Sequence, residues 1–447
     1  MHVFPQLRKL EEKFAREVTV VGVHSAKFTA EKETENLRRA VLRYDIQHPV
    51  VNDRDFQVWR EYTVRAWPTL MFIDPIGKII GKHEGEIALD AFEKLISDII
   101  EEYDAQGLIQ RSELNFKLEK EKEWERALSF PGKILADSES GRLYIADSNH
   151  NRIVVTDLNG KALDVIGSGQ QGFTDGAFKS SAFYDPQGMA LSGDELYVAD
   201  TKNHAIRKVD LVNQEVTTIA GTGEQAKVFH EGGAGTLAAI NSPWDIEIIG
   251  DKIYIAMAGF HQLWVMDLKL NEIRPFAGSG RERIEDGLLL SAALAQPSGI
   301  VSNGMKLYFT DSETSAVRSA ELNSDGSVAS IVGQDLFTFG DVDGTGDEVR
   351  LQHPLGIDIE AGSIYITDTY NNKIKRIDPD TRKASSLLGS GKPGHTDGPA
   401  DTAKFHEPGG ISVDAGNIYI ADTNNHAIRV AALDTLEVST LKITGLN

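Results

Sequence analysis

The sequence predicts two domains of different class. Residues 1–103 read as an α/β domain, residues 130–447 as an all-β six-bladed β-propeller, and residues 104–129 as a linker. Three observations predict this. First, a phrase that begins Asp185-Pro186-Gln187-Gly188, continues with Leu196-Tyr197-Val198-Ala199-Asp200-Thr201 and ends in Asn203-His204-Ala205-Ile206-Arg207 recurs down the chain. The prolines that open its copies are Pro131, Pro186, Pro243, Pro297, Pro354 and Pro408, spaced by 54 to 57 residues, which marks a repeat architecture. Second, the first hundred residues carry no copy and alternate helical with strand-like periods. Third, the charge divides: residues 1–110 hold 15 Lys+Arg and 19 Asp+Glu, and the remainder holds 31 and 48.

In the first domain, apolar Phe4, Leu7, Leu10 and Phe14 recur at helical spacing, predicting a helix over Phe4–Glu17. Val18–Val23 is a continuous apolar run, the pattern of a buried parallel strand. A helix over Lys32–Tyr44, a short strand at Pro49–Val51 and a short helix at Phe56–Tyr62 follow. Thr69–Ile73 and Lys78–His83 flank the turn Asp74-Pro75-Ile76-Gly77 and predict a hairpin, and Leu89–Tyr103 predicts a closing amphipathic helix. The order α-β-α-β-α-β-β-α fits a layered α/β fold with a mixed sheet. The linker includes Glu119-Lys120-Glu121-Lys122-Glu123, a mixed-charge helix or spacer.

Each repeat holds four strand-like runs; in the second copy they are Gly188–Leu191, Glu195–Ala199, Ala205–Asp210 and Val216–Ala220. Four antiparallel strands repeated six times describe a propeller. With every blade complete in sequence, side-chain packing between the first and last blades is expected to close the ring. The turns between second and third strands and the long Gly-rich blade connections fall on one face, where binding is expected.

The chain has no cysteine, which excludes disulfides, thiol nucleophiles and thiolate metal sites here. Its net charge of −21 argues against a nucleic-acid partner. No signal peptide is recognisable and no window approaches 18 uninterrupted apolar residues, so no membrane partner and a cytoplasmic location are expected. No Ser-His-Asp set, H-x-E, HExxH or phosphate-binding loop stands out, so no catalytic residue, metal or cofactor is assigned.

The phrase Ile418-Tyr419-Ile420-Ala421-Asp422-Thr423, with Asn425-His426-Ala427-Ile428-Arg429, resembles the NHL repeat. Blade three departs from it, with Met257-Ala258-Gly259-Phe260-His261 and no Asp, and blade four has Asp311-Ser312-Glu313-Thr314-Ser315. Upstream, Ala66-Trp67-Pro68-Thr69-Leu70-Met71-Phe72-Ile73-Asp74 resembles the thioredoxin superfamily. That resemblance implies that Pro68 is cis and that Trp67, Pro68 and Thr69 are remnants of a redox pocket, although simple packing at the sheet end is preferred for this chain. It also implies that a central strand and a Cys-x-x-Cys would lie ahead of Met1, leaving unpaired edges on Val18–Val23 and Thr69–Ile73. The whole chain resembles the family of NHL repeat-containing protein 2.

Several candidate residues remain to be weighed. Asp147, Asp200, Asp311, Asp368 and Asp422 occupy equivalent places; repetition favours turn carboxylates that accept backbone hydrogen bonds over a cation-binding ring. Asp175, Asp286, Asp343 and Asp397 read as turn residues. His150, His204, His261 and His426 read as turn and surface histidines rather than metal ligands. Residues flanking the repeat prolines differ from blade to blade and are expected at the channel mouth. From these, Asp185, Trp244, Asp245, Gln296, His353 and Glu407 are taken as the candidate binding set, with Trp244 the best anchor. The function expected is a binding or scaffold protein with an unidentified protein or small-molecule partner on the long-loop face. The alternatives are a thiol-disulfide oxidoreductase in a longer natural product, and a metal-dependent propeller lyase or lactonase.

Overall fold

A computed structural model describes residues 3–85, 89–112, 114, 116–122, 126–226 and 228–446. The chain divides into two compact units, Met1–Glu125 and Arg126–Asn447.

In the first unit the elements run α1 (Val3–Lys13), β1 (Gly22–His24), α2 (Thr34–Arg43), β2 (Val50–Asn52), α3 (Gln57–Glu61), β3 (Thr69–Ile73), β4 (Ile79–Glu84) and α4 (Leu89–Ala105). Leu10 and Phe14 of the first helical segment pack with Phe92 and Ile96 of α4, and Leu70 and Phe72 of β3 join them. Asp74 shapes the β3–β4 turn by accepting from the backbone N–H groups of Ile76 and Lys78, and Tyr103 donates to its other oxygen at 2.7 Å. The strands form two separate pairs: β1 with β2, parallel, and β3 with β4, antiparallel. Among the described residues no strand joins the pairs, so the expected unpaired edges are present. The reading of Val18–Val23 as one buried strand is corrected. Only Gly22–His24 pairs, and Val21 and Val23 are 53% and 44% exposed. A strand paired along one edge alone buries little of itself. Residues read as linker are tied into this unit by Arg111 to Asp104 and Glu17, Arg38 to Glu119, and Lys120 to Asp45.

In the second unit six antiparallel sheets make six blades. The first blade uses Ile134–Asp137, Arg142–Asp147, Arg152–Asp157 and Ala162–Ile166; the second uses Pro186–Ser192, Glu195–Asp200, Ala205–Asp210 and Glu215–Ala220. The innermost strands of blades three to six are Pro243–Ile249, Pro297–Ser302, Ile357–Glu360 and Gly410–Asp414. Alternation along each strand sends one set of apolar residues into each neighbouring blade, so the core lies in six wedges between blades. Between blades two and three, for example, Ala190, Tyr197 and Ile206 meet Ile246, Ile253 and Ile255. Each fully buried Ile or Leu contributes about 1.5–3 kcal/mol relative to exposure.

The long connections also pair. Gly176–Ala177, Gly233–Ala234, Gly287–Leu288 and Gly344–Thr345 each form a two-residue fifth strand on the outermost strand of the blade they lead into. Gly398 bridges Val438 in the same way in blade six. Blade one has no preceding connection, and the C-terminal segment supplies the partner. Thr444 bridges Lys161, Ala162 N–H donates to the Thr444 carbonyl at 2.8 Å, and Thr444 N–H donates to Gly160. Ring closure therefore uses backbone hydrogen bonds as well as the expected packing, in which Ile134, Leu143 and Ile145 meet Tyr419, Ala421 and Ile428.

Removing residues 442–447 deletes those hydrogen bonds and uncovers the packing of Ile443 and Leu446. At ~1 kcal/mol per hydrogen bond plus the apolar area, the propeller should lose about 2–4 kcal/mol. Urea unfolding followed by tryptophan fluorescence checks this; an unchanged midpoint would show that packing alone closes the ring.

Candidate functional site

The turn between the second and third strands is a single 3-10 turn in every blade, as at Thr201–Asn203 and Thr423–Asn425. A left-handed residue follows it: Asn151, His204, His261, Ser315, Asn372 or His426. The residue before each repeat proline is left-handed too: Phe130, Asp185, Ser242, Gln296, His353 and Glu407 have φ between 47° and 59°. The two corners are bonded. The backbone N–H of each pre-proline residue donates to the side chain of the left-handed residue in the preceding blade, as Asp185 to Asn151 (3.1 Å), Ser242 to His204 (3.0 Å), Gln296 to His261 (3.2 Å) and Glu407 to Asn372 (2.9 Å). The turns and the long connections therefore share one face. His204, His261 and His426 are junction residues. His150 is not their equivalent, because it lies one residue earlier and contacts Asp147 Oδ2 at 2.8 Å.

The structure sorts the candidate binding set. Asp185, Trp244 and Gln296 are half-buried, as are Lys202, Glu313 and Tyr370 of the turns between second and third strands. Lys202 pairs with Asp185 at 3.0 Å. His353, Glu407 and Asp245 are corrected: they are 6%, 4% and 8% exposed. His353 stacks on Tyr370 with ring centroids 4.6 Å apart, so packing within the corner occupies it.

The repeated aspartates lie at the end of the second strand, fully buried. The backbone donor to Asp200 is Tyr184 (2.8 Å), sixteen residues upstream in the long connection, not a group of its own turn as expected. The other oxygen of Asp200 takes Arg207 (2.7 Å) and Asn203 (2.8 Å). Arg207 continues to the carbonyls of Ala182 and Thr174 and to Asp175, and Asp175 accepts from the backbone and hydroxyl of Thr218. Blades four and six repeat the chain as Asp311–Arg318–Asp286–Ser330 and Asp422–Arg429–Asp397–Thr440. Blade five uses Lys375 between Asp368, Asp341 and Asp343, and in blade one Arg152 and His150 hold Asp147. Burial pushes Asp200, Asp368 and Asp422 up to about 6, against the opposing pull of their cations and hydrogen bonds. These carboxylates are structural, and the Asp-Gly aspartates are their outer partners rather than turn residues alone. Blade three replaces both charges together. Met257 stands for the Asp and fully buried Trp264 for the Arg, with the Trp264 indole donating to Gln262 (2.7 Å) and stacking on Phe260. Swapping a buried ion pair for packed apolar groups is energetically feasible only when both partners change.

The channel is crossed by Lys133. From blade one its Nζ donates to Asp245 Oδ2 of blade three (2.9 Å) and to the carbonyls of Ser298 in blade four (2.9 Å) and Leu355 in blade five (2.8 Å). Two glycines make room: a Cβ at Gly188 would collide with the Asp245 carboxylate, and one at Gly410 with the backbone of Lys133. Asp245 is thus the counter-ion of a buried bolt. Two residues further along the inner strands, burial and the nearby charges of Asp358 and Asp245 push Glu247 up to about 8. Lys133 and Glu247 carry no motif, and only their place on inner strands beside small residues could have pointed to them. Among the described residues no group of three or more His, Asp or Glu is arranged to hold a metal.

In the first unit the Trp67-Pro68 peptide bond is cis. Trp67 is 47% exposed, its indole donates to the Ser25 carbonyl (2.8 Å), and it packs on Trp59 at 4.5 Å. Thr69 Oγ1 donates to Ala66. Sequence reasoning missed Asp53, which is buried and accepts from Val58 and Trp59 at the start of α3 and from the Ser25 hydroxyl.

A thioredoxin-like family model matches residues 1–79, and an NHL-repeat model matches residues 183–209 and 405–431. The chain is 44% identical over 469 residues to Protein SUPPRESSOR OF QUENCHING 1, chloroplastic, of Arabidopsis thaliana, covering 100% of this chain and 44% of that protein. It is 40% identical to NHL repeat-containing protein 2 of Gallus gallus over 480 residues and of Homo sapiens over 479, covering 99% of this chain and 66% of each. The chain thus spans less than two thirds of their length. Among solved structures it is similar to virginiamycin B lyase from Staphylococcus aureus at TM-score 0.43 and 13% identity, over 71% of this chain and 86% of that one.

Replacing Lys133 by Met should cost about 3–5 kcal/mol, because Asp245 is left buried without its cation. Adding Asp245→Asn should recover at least half, as measured by urea unfolding; equal losses in both variants would mean that the ammonium does not serve the carboxylate. For Glu247, raised above its unfolded value, the folded state holds the proton more tightly. Stability is therefore lost as pH rises from the ordinary carboxylate range to about 8, and the loss levels off above that. Glu247→Gln should leave stability at pH 4 unchanged and raise it at pH 9 by on the order of 2 kcal/mol.

Proposed function

The chain belongs to the NHL repeat-containing protein 2 family, and on that premise we propose that it is a binding protein. Its propeller presents a partner or substrate in one chain with a thioredoxin-like domain that here has no cysteine. The observation that carries the reading is the contrast at the mouth. Six corners share one left-handed backbone and one inter-blade hydrogen bond, yet differ in side chain, and those of blades two to four keep Asp185, Trp244 and Gln296 accessible. The Lys133 bolt leaves the mouth, not the channel, as the place for a ligand. With a large acidic excess after residue 110, a partner bearing positive charge beside an aromatic or apolar group is favoured. A cytoplasmic setting is part of this proposal.

A second reading, that a longer form acts as a thiol-disulfide oxidoreductase, is favoured by the thioredoxin-like match over residues 1–79 and by the greater length of the relatives.

Selecting a displayed random-peptide library on the chain tests the first reading. Basic peptides should be enriched, and Trp244→Ala should weaken their binding at least about tenfold. Leu270→Ala, an exposed residue in the turn between third and fourth strands on the other face, should leave it unchanged. Binding indifferent to Trp244 would refute the proposed site. Insulin-disulfide reduction by this chain should not exceed background.

A further inference from the structure

The six junction hydrogen bonds are made by two kinds of acceptor. Blades one, four and five use Asn151, Ser315 and Asn372, which do not titrate. Blades two, three and six use the Nδ1 atoms of His204, His261 and His426, which accept from the backbone N–H groups of Ser242 (3.0 Å), Gln296 (3.2 Å) and Phe130 (3.1 Å). A peptide N–H can only donate, so each of these rings must be neutral, with its proton on Nε2. Protonating Nδ1 sets two donors against each other and removes the bond.

We propose that these three histidines are acid-sensitive latches: protonation releases the loop-face corners at the junctions of blades two with three, three with four, and six with one, while the other three junctions stay bonded. The inference concerns the propeller alone and does not rest on the binding reading. Two of the released corners are Ser242, two residues before Trp244, and Gln296 itself.

The surroundings of the three rings differ. Asp311 of blade four lies near enough to His261 to interact with it electrostatically. Met257 takes the corresponding place at the end of the second strand in blade three. In blade one the corresponding Asp147 is engaged by Arg152 and His150, and the ring of His426 lies 4.2 Å from that of Phe130.

The sign follows from linkage. Folding ties up Nδ1, so the folded chain takes the proton less readily than the unfolded chain, whose histidines titrate near ~6.5. The latch contribution is complete above that value and is lost as pH falls below it. Asparagine suits the left-handed backbone and already serves this role in blades one and five, so His204→Asn, His261→Asn and His426→Asn together should keep the bonds and remove the titration.

Thermal unfolding of the full chain from pH 8 to pH 5 is the test. The triple variant should match the parent at pH 8 and exceed it by roughly 3–6 °C at pH 5. The remaining nine histidines are common to both chains and cancel. Parallel profiles would overturn the proposal. If the triple variant does not fold, ring-proton NMR of the parent decides: midpoints below 6.5 for His204 and His426 support the latches, and midpoints at or above it overturn them.

Discussion

Every blade has to fasten the segment that leads into it to the end of its second strand, and five of the six do so by burying a carboxylate there. The aspartate receives the N–H of the connection on one oxygen and a cation from the third strand on the other. A buried pair of this kind adds little net stability, because desolvation offsets the attraction. Its value is positional. Arg207 reaches two carbonyls and a second aspartate, so one side chain ties the connection, the turn and the outermost strand together. Loops that look free in sequence are held at several points, and a rigid loop face is what a binding surface requires.

Blade three shows that the constraint is geometric rather than ionic. Met257 and Trp264 fill the volume that Asp and Arg occupy elsewhere, and Gln262 accepts from the Trp264 indole and donates to the Gly278 carbonyl just after the fourth strand. The exchange is concerted, as it must be when half of a buried pair cannot stand alone. The same logic governs the axis. Lys133 is unique among the six inner strands, and its ammonium is satisfied only by reaching across to three other blades. Sixfold likeness is thus broken twice, at blade three and at the axis.

The first unit follows different rules. Its two strand pairs stay separate, and valines that would be interior to a wider sheet are exposed. Helices α1 and α4 still pack on β3 through Leu10, Phe72 and Phe92, and Asp53 and Trp67 fix the ends of β1 and β3. The thioredoxin-like corner is therefore formed, cis bond included, in a chain that contains no thiol.

Much of this was legible in the residues. The spacing of six prolines, the four apolar runs per copy and the change of period before residue 104 determined the number of blades, their strands and the division into two domains, because periodicity is a local property that burial must obey. The resemblance around Trp67 and Pro68 pointed to the cis bond. What the sequence did not contain was pairing over distance. Asp200 meets Tyr184 and Arg207, Asp245 meets Lys133 across 112 positions, and Ser242 meets His204 across 38. None of these pairs has a spacing that a helix or strand would set. Aspartates that read as turn residues became halves of buried ion pairs, histidines that read as surface residues became blade latches, and Asp245, His353 and Glu407 left the candidate surface. Sequence by itself determined the repeating unit, since each strand's alternation is written in its own residues; only the closed ring decided which polar side chains face one another, because that depends on how six units bend around a single axis.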